Sequence, residues 1–210
     1  MSIGSVGASG SSGADGNNQQ YLQFLKQEYK TVFTNFTDDP SVANATALRN
    51  FLESNQSNLT ILASQVGYQP SPGEQFSADF NGAILALNHF ISSGGQGSVA
   101  PACEFANDVR QWIGVEVDPQ DVQQTVNAIM EAFLSNPSPH TAESLEWMLN
   151  TPGYREALSV FAEFNTAKGQ FSKNISSVQM LLNQYINNPN DSNVLTALDS
   201  AIKTLANNIR

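Results

Sequence analysis

The acidic residues of this chain supply several close pairs: Asp38 with Asp39, Glu104 with Asp108, Asp118 with Asp121, and Glu143 with Glu146. On a helix, carboxylates four residues apart share a face, so Glu104 and Asp108 have a spacing suited to cation binding or to acid and base work. The same residues suit structural duty, since a carboxylate in a first helical turn answers the positive end of the helix dipole. The two histidines, His89 and His140, stand outside any HExxH or related spacing, and zinc needs more Cys and His ligands than the chain supplies. His89, beside Phe90, reads as a boundary residue and His140, in NPSPHT, as an exposed residue near a helix start. Cys103 is the one cysteine; its apolar neighbours and the nearby Glu104 and Asp108 mark a buried structural thiol, because a reactive one needs positive surroundings. GGQGSVAP has glycines but neither a following Lys nor a preceding strand, SAIK at 200–203 falls within a helical pattern, and there is no Gly-x-Ser-x-Gly elbow. These residues predict no catalytic group, no cofactor and no metal site.

Two further features bear on ligands. The segment NPNDSNVLTALD, 188–199, resembles the EF-hand calcium loop, with Asn188, Asn190 and Ser192 at the first, third and fifth positions and Asp199 at the twelfth. Calcium affinity in that family rests on acidic ligands, a turn glycine and a bidentate Glu; here the first three are neutral, Asn193 replaces the glycine and Asp replaces Glu. A plain helix N-cap at Asp191 or Ser192 accounts for the same residues. The aromatic residues Tyr68, Trp112, Trp147 and Tyr154 fall near helix ends or loops, where an amphipathic ring can anchor a protein partner; core or rim packing is the alternative. Asn-x-Ser/Thr sequons at Asn35, Asn44, Asn55, Asn58, Asn174 and Asn190 are assigned no function.

The elements that must hold these residues are helices. VFTNFTDDP, IMEAFLSNP and LLNQYINNP, ending at Pro40, Pro137 and Pro189, share one frame: two large apolar residues, an aromatic three places on, then polar residues and proline. ALNHFISSG, ending at Gly94, is a weaker copy. The frame reads as the end of an amphipathic helix and a tight stop, and its aromatics Phe36, Phe90, Phe133 and Tyr185 are expected to be buried closures of the core. Periodicity places helices over about 19–36, 42–53 with a break near Ser54–Ser57 and a further helix to Gly67, 76–92, 99–113, 118–134, around Leu145–Leu149, from Thr151-Pro152, 173–187 and 191–208. Asp39 and Asp118 are expected as N-caps, each followed by proline at the first helical position. Frame spacing is uneven, against a stacked solenoid. The fold predicted is all-α: a globular bundle of about eight antiparallel helices built from helical hairpins, with 1–17 a disordered Gly/Ser-rich tail and 18–210 a single helical domain.

Composition narrows the functional classes. A formal net charge of -10, with nine Lys and Arg scattered along the chain, disfavours nucleic acid and anionic membrane surfaces. No apolar run approaches the ~20 residues of a membrane span. Charged residues make up only 13%, leaving Asn, Gln, Ser and Thr to cover the surface, a composition that associates readily. The first twenty residues hold no Lys or Arg and no apolar run of leader length, so the expectation is a protein that is cytoplasmic or exported without a cleavable signal. That uncharged, Ser/Gly-rich segment resembles the signal of type III secretion substrates. The functional expectation is a non-catalytic, protein-binding helical protein, a bacterial exported effector or secretion-associated factor. The alternatives are a structural subunit of a filament or virus particle, and a small-ligand binder or enzyme with a site outside known motifs.

Overall fold

The computed structural model describes residues 12–69, 75–167 and 169–210. Nine helices and no strand occur among them: α1 (Ser12–Asp38), α2 (Val42–Gln65), α3 (Phe76–Ser92), α4 (Ala100–Trp112), α5 (Pro119–Ser135), α6 (Pro139–Asn150), α7 (Pro152–Asn165), α8 (Gln170–Asn187) and α9 (Ser192–Asn208). The all-α bundle expected from periodicity is what the chain forms. Of the expected N-terminal tail, residues 1–11 lie outside the described residues, and α1 begins at Ser12. The connector through Val115–Val117 is non-helical. The break expected near Ser54–Ser57 does not occur. Leu52 and Leu59, two turns apart on one face of α2, are both fully buried, and the Asn55 side chain spends its amide on the Phe51 carbonyl at 2.9 Å. Core burial on both sides of the polar stretch outweighs the weak helix propensity of Ser and Asn.

The repeated frame is a helix stop made in two ways. Before Pro137 and Pro189, the residues Asn136 (φ -148, ψ 83) and Asn188 (φ -145, ψ 78) take nearly the same non-helical conformation, since the proline ring disfavours the α region for its predecessor. The glycine copy stops differently: Gly94 and Gly95 sit at φ +68 and +78, and Gly95 N–H reaches back to the Phe90 carbonyl at 3.0 Å. That left-handed turn suits glycine because no Cβ opposes it.

After each proline stop a new cap starts the next helix. Ser41 and Ser138, directly after Pro40 and Pro137, accept from the backbone N–H of Asn44 and Thr141, and Asp191 accepts from Asn193 and Val194. The expected cap at Asp39 is therefore displaced two residues to Ser41. Asp39 instead receives the Asn44 side-chain amide on its carbonyl and carboxylate, at 2.8 and 3.1 Å. Asp118 caps α5 through Gln120 N–H at 2.8 Å, with Pro119 at the first position, as its sequence indicates.

Two hydrophobic cores result. The first is built by α1 to α4 with Val115, the second by α5 to α9, and Trp147 packs against both. The frame aromatics are all buried, and they divide between the cores: Phe36 meets Phe90 edge-on at 5.8 Å, and Phe133 meets Tyr185 edge-on at 5.2 Å. Each such pair adds about 0.5–1.5 kcal/mol beyond area burial.

Candidate functional site at the junction of the two cores

The seam between the cores is held by polar groups as well as packing. Glu143 of α6 accepts from Ser98 Oγ at 2.9 Å and from Val99 N–H at 2.8 Å. Val99 has no side-chain acceptor of its own, so a carboxylate from the other core serves the N-terminus of α4, where negative charge is favoured. One residue on, Ser144 Oγ donates to the Thr37 carbonyl at 2.6 Å, and Trp147 meets Phe33 edge-on at 6.0 Å. Across the α1–α5 contact, Lys30 pairs with Asp121, and Asp38 hydrogen-bonds Thr125.

Asp38 is the perturbed acid of this seam. It ends α1, its Oδ1 is shielded without a hydrogen-bond partner, and burial pushes its carboxyl up to about 6 against the opposing effect of the Thr125 hydrogen bond. A carboxylate at a helix C-terminus also faces the negative end of the dipole.

Arg110 is the seam's buried cation, 8% exposed. Its Nε donates to Asn107 Oδ1 at 2.9 Å, its Nη1 to the Val115 carbonyl at 2.6 Å, and its guanidinium lies 5.9 Å from the Tyr154 ring centroid. Tyr29, which donates to the Ala106 carbonyl, and Tyr154 are both held protonated by burial, Tyr154 pushed up to about 12 with Arg110 acting in the opposite direction. Neither Arg110 nor Lys30 figures among the residues first singled out. A signal was present: Arg110 lies seven residues after Cys103, on the face that carries Cys103 and Ala106 into the core.

The four expected partner-binding aromatics do not meet in one patch. Tyr68 and Trp112 form an edge-on pair at 5.0 Å, with Phe76 against Trp112 at 6.3 Å and Trp112 Nε1 donating to Asp79 Oδ2 at 2.7 Å. Both are half-buried. Trp147 and Tyr154 form a second edge-on pair at 5.4 Å inside the seam, and Tyr154 is only 6% exposed. Two exposed aromatics that sequence reading passed over, Tyr21 and Phe24, lie on α1, 45% and 55% exposed. Lys26, next to them, donates to the Gly114 carbonyl at 3.3 Å, which sets this part of α1 at the Trp112 end of α4.

The remaining candidates resolve individually. Cys103 is fully buried, and burial raises its thiol pKa well above the ordinary range, as expected of a structural cysteine. His89 is exposed rather than at a boundary, while His140 is half-buried, its ring edge-on to Phe90 at 5.7 Å. Asp191 works as a helix cap in the calcium-loop-like segment, and Asp199 pairs with Lys203 at 2.7 Å. Among the described residues no cluster of three or more His, Cys, Asp or Glu has metal-binding geometry, and no helix is long and apolar enough to cross a membrane. No protein-family model, no curated protein and no solved structure matches the chain.

Proposed function

We propose that the protein acts without catalysis, by binding another protein at the aromatic end of its first core. The observation that carries this reading is the exposure of Tyr21 and Phe24 on α1, three residues apart and so on adjoining positions of one helix face. Aromatic rings at a surface cost little conformational entropy on binding and recur at the energetic centres of interfaces. A photoreactive amino acid at position 24, with one at exposed Ser200 of α9 as control, tests the reading in the native host. A discrete adduct from position 24 alone is the expected result. Equal labelling from both positions, or none, overturns it, and an adduct of twice the chain mass transfers the reading to the structural-subunit alternative.

Export by a type III-like route is a separate part of the proposal, supported by the composition of the first twenty residues. Fused to a reporter, they should direct it out of a secretion-competent cell; retention of the reporter removes this part alone.

A further inference from the structure

The geometry points to an anion site in the seam, centred on Arg110 and sized for one carboxylate group or a halide ion. Arg110 is more than nine-tenths buried and lines a cavity of about 40 Å³ whose walls include Phe33, Val115, Val122, Met148 and Tyr154. A guanidinium has five N–H donors; two here serve Asn107 and Val115. None of the ion pairs among the described residues involves Arg110. Taking an unpaired cation out of water is unfavourable, and a bound anion is the direct way to offset it.

The other charges lining the cavity leave that cation uncancelled. Lys30 and Asp121 neutralise each other as an ion pair, while Glu116 and Asp118 are exposed to solvent. Thr34 adds a hydroxyl to the lining, which suits one of an anion's remaining acceptor lone pairs, whereas the Thr37 hydroxyl donates to the Thr34 carbonyl and that of Thr125 is engaged by Asp38. The volume equals about three water-sized positions, enough for chloride or for the head of a carboxylate and too little for a large organic acid. A free ion and the carboxylate of a partner's Asp or Glu side chain share this chemistry. The site does not depend on the aromatic surface proposed above.

Chloride-35 NMR on the full chain reads the site directly, with sodium gluconate holding the ionic strength constant. Excess chloride linewidth that sodium formate displaces is the expected result, and it assigns a free anion. Thermal protection by formate without any chloride broadening also supports the site and assigns it to carboxylates. The absence of both broadening and protection overturns the proposal. Arg110→Gln should weaken the effect by about tenfold or more, through loss of charge-assisted hydrogen bonds. Because Arg110 also braces the connector, Thr34→Leu serves as the second variant: Thr34 lines both this cavity and the open groove beside it, so leucine fills the space while leaving the guanidinium intact. An anion effect unchanged in folded Thr34→Leu overturns the assignment.

Discussion

Replacing Asp38 with asparagine should stabilise the protein at neutral pH and do less in acid. In the fold the carboxyl is displaced from its ordinary 3.8 to about 6, with burial the larger cause. At ~1.36 kcal/mol per pH unit that displacement corresponds to roughly 3 kcal/mol. The carboxyl is partly open to solvent, and screening reduces the figure to about 1 kcal/mol. A folded-state pKa above the unfolded one means that the protonated acid suits the fold: its contribution is complete below about pH 4 and lost as pH rises through about 6. Ionised Asp38 therefore weighs against folding at pH 7.5, where Asp38→Asn keeps the Thr125 contact without the charge. Urea unfolding of both proteins at pH 7.5 and pH 4.5 isolates this group, since other titrations cancel in the difference. The variant should be about 1 kcal/mol more stable at pH 7.5, and the gap should narrow at pH 4.5. A gap that is the same at both pH values, or a variant less stable at pH 7.5, refutes the reasoning.

Three other outcomes follow from single sites. Gly82→Ala should destabilise by about 1–3 kcal/mol in thermal unfolding, although alanine is the better helix former, because its Cβ would stand 2.6 Å from Phe105 of α4; Phe105→Leu should recover part of the loss. Asp191→Ala should cost about 1 kcal/mol as a lost N-cap, and millimolar calcium should leave the melting temperature of the parent protein unchanged. Cys103 should resist Ellman's reagent in the native protein and react stoichiometrically in guanidinium, since its thiol is both buried and held protonated.

Helices were legible where apolar periodicity and capping chemistry agreed. Val122, Val126, Ile129, Met130 and Phe133 follow an Asp-Pro start and precede an Asn-Pro stop, and α5 occupies that segment. Where two polar residues competed for one role, the sequence was ambiguous: Asp39 and Ser41 both suit a cap, and Ser41 takes the role while Asp39 holds the Asn44 side chain. Ser54–Ser57 misled because local propensity says nothing of the core contacts made by Leu52 and Leu59 on either side. The seam was hardest to read, since its groups come from distant segments: Glu143 reaches Val99, Ser144 reaches Thr37, and Lys30 reaches Asp121. No local pattern carries those pairings. The four aromatics first chosen as partner anchors were selected by proximity to helix ends, a criterion shared by rings that pack inward, as Tyr154 does.

The division of the frame aromatics, Phe36 with Phe90 and Phe133 with Tyr185, bears on how the molecule opens. Each half carries its own clasp, and the only covalent link between them is the short non-helical stretch through Gly114, at φ +66. Parting Phe133 from Tyr185 leaves Phe36 and Phe90 in place, so one half can exchange its amides with solvent while the other stays protected. Whatever loosens the seam then sets how independently the halves fluctuate, and the charges of Asp38 and Arg110 sit where that control would be exercised.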